Sequence, residues 1–189
     1  MNTPAIMTIA PLSAANRAGV LRSTLASGFT LIELLMTITV AGIILAIAMP
    51  SFRYITNSNR IASEINGLLG DLQFARAEAI KEGQTVTVCV SAGGATCDGT
   101  TTWQSGWIVF QKPGTVLRVQ TPFTSTDTFL ASNAVSQVQF NREGYAIGWA
   151  AGTMITLHDK NDTTAWTRCL AVNFSGQTTT MLYNGGTCN

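Results

Sequence analysis

Gly28-Phe29-Thr30-Leu31-Ile32-Glu33-Leu34-Leu35 opens an apolar run that lasts to Met49 and holds one carboxylate, five residues after the glycine. The run 29–49 has 21 residues, which as a helix at 1.5 Å per residue is about 32 Å long and matches the hydrocarbon core of a bilayer. A charged side chain inside lipid costs about 2.5–3.5 kcal/mol on insertion scales, so Glu33 needs a partner group or a functional task. A secretory signal peptide is the competing reading, because Arg17 and Arg22 precede the run and such peptides begin with positive charge. The apolar core of a signal peptide is shorter, however, and a small-x-small cleavage site follows it. Here the small residue, Gly28, comes first, and Met49-Pro50-Ser51-Phe52-Arg53 comes after. A protease cutting at Gly28 leaves the apolar helix on the mature chain.

Three segments follow from this reading: a leader over 1–28, a transmembrane helix over 29–50 and a globular domain over 51–189. The leader is rich in Ala, Ser and Thr, contains no acid, and offers Met7 as a second initiator. Arg17 and Arg22 hold the N-terminus in the cytoplasm, so the domain lies across the membrane in an oxidising compartment. All four cysteines, Cys89, Cys97, Cys169 and Cys188, lie in that domain. They form no CxxC knuckle, and the single His158 is remote from any cysteine pair, so disulfides are expected and a zinc site is not. Four cysteines allow three connectivities; pairing sequence neighbours, Cys89 with Cys97 and Cys169 with Cys188, is favoured. Loops of these sizes contribute about 2.5–3.5 kcal/mol each on the chain-entropy model.

Charge argues against a nucleic-acid binder. Without Arg17 and Arg22 the eleven basic residues become nine against ten acidic ones, a net charge of −1, whereas displacing counterions from DNA takes a surplus of Lys and Arg.

Beyond Pro50 a helical pattern persists. Ile61, Ile65, Leu68, Leu72, Ala75 and Ala79 recur at intervals of three and four, one stripe of an amphipathic helix, and Gly83 supplies the stop. Pro50 removes one backbone hydrogen bond, so a kink is expected there. From Gln84 the period changes to two, and short strands are expected at 85–90, 107–110, 116–119, 138–140, 154–157, 169–174 and 179–183, separated by Gly, Asn, Asp and Pro. The expected fold class is α+β, a long N-terminal helix whose distal half packs on an antiparallel sheet.

These residues resemble a known family. Gly28-Phe29-Thr30-Leu31-Ile32-Glu33 ahead of a membrane-length helix is similar to the class III signal of type IV pilins and pseudopilins. Phe74-Ala75-Arg76-Ala77-Glu78-Ala79-Ile80-Lys81 leading into Val86-Thr87-Val88-Cys89, and then Trp103-Gln104-Ser105-Gly106-Trp107-Ile108-Val109-Phe110, resemble the GspH/FimT group of minor pilins. Asn141-Arg142-Glu143-Gly144 and Val172-Asn173-Phe174-Ser175-Gly176 echo it more weakly.

The resemblance implies a type IV pilin-like fold and a non-enzymatic structural subunit without a cofactor. It implies cleavage after Gly28 by a membrane prepilin peptidase, methylation of the new amine on Phe29, and pairing of Glu33 with the terminal amine of a neighbouring subunit. The implied partners are other major and minor pilins or pseudopilins. The implied location is the inner membrane, single-pass with a periplasmic domain, and then the tip of a type IV pilus or type II secretion pseudopilus. A DNA receptor for natural transformation is the alternative within the group. Such receptors carry an arginine-rich turn near the C-terminus, where this chain reads Ser175-Gly176-Gln177-Thr178-Thr179, so DNA is not an expected partner.

Other constellations have plainer readings. His158-Asp159-Lys160-Asn161-Asp162 has oxygens that suit calcium but lacks the ligand count and a closing glutamate, so a turn is expected. His158 has no nucleophile frame around it. Trp103, Trp107, Trp149 and Trp166, with Phe110, are read as core packing rather than a stacking surface for ligands.

Overall fold

The structure, a computed structural model, describes residues 28–112, 114–149, 153–184 and 187–188. The expected leader, with Met7, Arg17 and Arg22, therefore lies outside the described residues except for Gly28.

Helix α1 runs from Leu31 to Glu82 with Pro50 inside it. Its second part owes its packing to the stripe: Ile61, Ile65, Leu68, Leu72, Ala75 and Ala79 are the buried residues of the helix. Gly83 ends it at φ +65°, the left-handed conformation that glycine adopts without a Cβ penalty.

Among the described residues ten strands follow: β1 (Val86–Val90), β2 (Trp107–Gln111), β3 (Thr115–Gln120), β4 (Thr128–Ala131), β5 (Gln137–Phe140), β6 (Ala146–Ile147), β7 (Met154–His158), β8 (Arg168–Val172), β9 (Thr178–Asn184) and β10 (Thr187–Cys188). They form two five-stranded sheets, ordered β3-β2-β1-β5-β6 and β10-β9-β8-β7-β4, with every pairing antiparallel. The single expected sheet is thus two. Three strands escaped the alternation pattern, β6 and β10 because two residues show no period and β4 because it sits in a Ser/Thr-rich stretch. The expected strand over 169–174 ends early. Asn173 N–H donates to Gln177 O at 2.8 Å and Gly176 N–H to Asn173 O at 2.8 Å, so Phe174 sits on a turn and is 73% exposed.

The helix stripe and both sheets bury one continuous core, with Val88, Val109, Phe140, Ile155 and Leu170 among its strand residues. Trp107, Phe123 and Phe129 pack as a triad with ring centroids 5.2–6.2 Å apart. Two of the ring N–H groups are matched: Trp107 Nε1 donates to Asp71 Oδ2 at 2.9 Å and Trp103 Nε1 to Val135 O at 2.9 Å, whereas those of Trp149 and Trp166 are buried without a partner among the described residues. Asp71 also accepts from Arg118 Nη1 at 3.0 Å, and that guanidinium lies 3.8 Å from the centre of the Phe74 ring. Trp103, Trp107 and Trp149 are core residues, whereas Trp166 is only partly buried and Phe110 is half-buried on the other side of its strand.

Arg76 couples the helix to both sheets. Its Nε donates to Gly144 O in the β5–β6 turn and its Nη2 to Ser175 O in the β8–β9 turn, each at 3.0 Å. Both turn glycines adopt positive φ, +82° at Gly144 and +74° at Gly176, and a Cβ on Gly176 would stand 2.0 Å from Gly144 O. The turns come this close because Gly176 has no side chain, while a Cβ on Gly144 would instead stand 2.7 Å from Ile80 Cδ1 of the helix. Gly176→Ala is expected to destabilise the domain by about 2 kcal/mol or more, combining backbone strain with a steric clash. Thermal unfolding of the full chain in detergent checks this, with Thr179→Ala, at an exposed position of β9, as the control that stays near the wild-type midpoint.

Candidate assembly site

The residues that single this chain out lie at the start of α1. Gly28 to Thr30 precede the helix. Thr30 is its N-cap, accepting the Glu33 N–H at Oγ1 (3.2 Å) while its carbonyl accepts the Leu34 N–H (3.1 Å). Threonine followed three residues later by glutamate is the capping-box spacing, and it was legible in the sequence as a helix-start signal. It gives Glu33 a local reason to sit in the first turn, where the positive end of the helix dipole favours a carboxylate.

Past that turn the helix carries almost no unmet polarity. Thr37 Oγ1 donates to Leu34 O and Thr39 Oγ1 to Met36 O, both at 2.8 Å, so these hydroxyls satisfy themselves within the helix, as burial in lipid requires. The large apolar side chains over 29–49 are 48–80% exposed, and the helix is long and apolar enough to cross a membrane. Among the described residues the Glu33 carboxylate has no hydrogen-bond or ion-pair partner; only its backbone N–H is engaged.

Further along α1, where it becomes the core helix, a second polar group forms. Arg60 donates from Nε to Asp127 Oδ2 (2.7 Å) and from Nη2 to Asp127 Oδ1 (2.9 Å), a two-pronged contact with a buried carboxylate. One turn on, Glu64 Oε1 accepts from Ser125 Oγ at 3.0 Å, while its Oε2 is buried without a partner. Burial pushes the Glu64 carboxyl up to about 7; the Ser125 hydrogen bond opposes this, the Asp127 charge adds to it and Arg60 opposes it. Hydrogen bonding to Asp127 holds Arg60 in its charged form.

The cysteines lie in the domain. Cys89 is bonded to Cys97 with Cα atoms 5.6 Å apart, and Cys169 to Cys188 at 5.9 Å, the second bond tying β8 to β10. The His158 region is a self-bonded turn: the Asp159 carboxylate accepts from the Thr163 N–H and hydroxyl, and His158 Nδ1 lies 3.5 Å from Asp162 Oδ1. No group of three or more His, Cys, Asp or Glu able to hold a metal occurs among the described residues.

Comparison with known proteins agrees with this geometry. The family model described as type II transport protein GspH matches residues 64–176, and the prokaryotic N-terminal methylation motif matches residues 24–49. The chain is similar to the crystal structure of the type IV minor pilin FimU of Pseudomonas aeruginosa PAO1 in space group P21. That likeness has a TM-score of 0.54 and 21% identity, covering 69% of this chain and 93% of that one. A second crystal form of the same pilin, in space group P65, gives 0.49, 22%, 65% and 90%. No curated protein matches in sequence.

The Glu64 carboxyl sets a pH dependence. The folded chain keeps the proton up to about pH 7, whereas the unfolded chain releases it near 4.5. The folded state therefore binds more protons between these values, and stability falls as pH rises through that window and then levels off. Glu64→Gln, which mimics the protonated form, is expected to stabilise the domain at pH 8 by about 1 kcal/mol after solvent screening, and to leave it unchanged at pH 4.5. Thermal midpoints at the two pH values check this; equal differences at both would contradict it.

Proposed function

The chain belongs to the GspH family of pilin-like structural subunits, and from that membership we propose that it is a minor pilin or pseudopilin that enters the tip of a type IV pilus or type II secretion pseudopilus and helps start its assembly. The observation that carries the reading is the Glu33 carboxylate. It stands in the first turn of an exposed apolar helix with no partner among the described residues, and its partner is to be found on another chain. Cleavage after Gly28 creates that partner, the terminal amine of Phe29, and a neighbouring subunit supplies it. A buried carboxylate paired with a cation is tolerated where an unpaired one is not.

In this account 1–28 is the leader removed by the prepilin peptidase, 29–50 anchors the subunit in the inner membrane, and 51–189 is the periplasmic domain. Leaving the bilayer for the filament exchanges lipid for neighbouring helices around the same apolar surface. Reception of DNA gains no support: the mature net charge is −1, and the two arginines near the Ser175–Gly176 turn are engaged within the chain, Arg76 on carbonyls and Arg142 on Glu143.

Two results test the proposal. Mass spectrometry of the chain from filament-bearing cells is expected to show a mature N-terminus at Phe29 carrying one added methyl group, and an unmethylated start upstream of Phe29 would contradict it. Glu33→Ala is expected to leave cleavage intact while lowering recovery in sheared filaments by roughly tenfold or more, the effect of leaving a buried amine unpaired. Filaments containing the variant at the wild-type level would mean that the carboxylate pairs with nothing.

A further inference from the structure

The connection between β7 and β8 is held as a rigid turn. Trp166 N–H donates to Thr163 O at 3.0 Å, and Thr167 binds the same carbonyl through its N–H at 3.2 Å and its hydroxyl at 3.1 Å. Asp159 closes the other side through its two bonds to Thr163. So braced, the turn sets the Trp166 ring against Tyr54 of α1, with centroids 5.7 Å apart and planes tilted by 58°.

The position of that pair along the helix is informative. Tyr54 comes five residues after Met49, where the apolar run ends, a rise of about 7.5 Å. The headgroup zone adds about 5–7.5 Å to each side of a 30 Å hydrocarbon core, so the Tyr54 backbone stands at its outer edge and a side chain there, tilted toward the helix N-terminus, reaches back into it. Tyr and Trp favour this depth because each has an apolar ring and a polar edge. Around the pair, Phe52 is 71% exposed and Ile55 53%, a further apolar band at the same level of the helix. Cations accompany it. Arg53 in the same turn of helix and Lys160 on the braced turn are both exposed, and neither has a hydrogen-bond or ion-pair partner among the described residues. Of the acids on this turn, Asp159 is bonded to Thr163, and Asp162 faces His158.

We propose that Tyr54, Trp166, Arg53 and Lys160 form a docking surface for phospholipid headgroups, which seats the globular domain on the membrane while the subunit waits in the bilayer. The rings occupy the ester and headgroup layer, and the guanidinium and ammonium meet lipid phosphates. The inference rests on the membrane-anchor reading of the helix. It adds that the domain is held at a fixed height and is not free on a tether. The same surface must leave the lipid when the subunit is extracted, so the seat resists extraction until neighbouring helices replace it.

The full-length chain is reconstituted in vesicles of phosphatidylethanolamine and phosphatidylglycerol containing a nitroxide quencher either on the headgroup or at mid-chain. Tryptophan emission is then compared for the wild type, Trp166→Phe and Trp103→Phe. The headgroup quencher is expected to act on the wild type and on Trp103→Phe alike, with quenching at least twofold smaller in Trp166→Phe. The mid-chain quencher is expected to have little effect on any of the three. Arg53→Gln with Lys160→Gln, which touches no core residue, is expected to lower headgroup quenching in phosphatidylglycerol-rich vesicles and to remove the dependence on phosphatidylglycerol content that the wild type shows. Headgroup quenching that is equal with and without Trp166 would overturn the proposal. So would quenching that disappears as the protein-to-lipid ratio rises, which assigns the surface to a second subunit. Flotation separates the two failures: a chain that does not float with vesicles refutes the anchor itself, and one that floats with Trp166 unquenched refutes only the seat.

Discussion

One stripe of α1 organises the domain. Ile61, Ile65, Leu68, Leu72, Ala75 and Ala79 are fully or almost fully buried, and each large member contributes about 1.5–3 kcal/mol on removal from water. Among the described residues no other α-helix covers either sheet. The two alanines end the stripe with small side chains, and there Arg76 reaches across to bind carbonyls of both sheets. The same helix thus serves as the core of the domain and, through its earlier residues, as its means of attachment.

That double use explains the distribution of polar groups. Where the helix faces protein, polarity is paired across elements: Arg60 with Asp127, Asp71 with Trp107 and Arg118, and Glu64 with Ser125. In the apolar segment the hydroxyls of Thr37 and Thr39 bond back to their own helix, which is what an environment without water demands. Glu33 departs from both arrangements. Its side chain has neither a cross-element partner nor a local one among the described residues, which is why the proposed function assigns its pairing to another chain.

Much of this was legible in the sequence. The spacing of the stripe and the stop at Gly83 located the core helix, and period-two alternation found the longer strands. Local periodicity carries no information about which distant strands pair, so the division into two sheets was not visible. Nor were β6 and β10, whose two residues are too few to show a period. The Arg76 contact joins residues 68 and 99 positions apart, a separation at which an arginine on a helix reads only as solvated charge. The Glu64–Asp127–Arg60 group was hidden for the same reason. Thr30 is different: its spacing to Glu33 is a helix-start signal, and it was masked by the stronger signal of the carboxylate beside it.

The central claim is that the apolar segment of α1 is covered by other pilin-like chains once the subunit has left the membrane. Site-specific photo-crosslinking from Ile47, 71% exposed on that segment, against Leu68, fully buried in the domain, tests it in sheared filaments. Position 47 is predicted to yield adducts with other filament subunits and position 68 to yield none between chains. Adducts from position 47 with lipid alone, in cells that make normal filaments, would contradict the account.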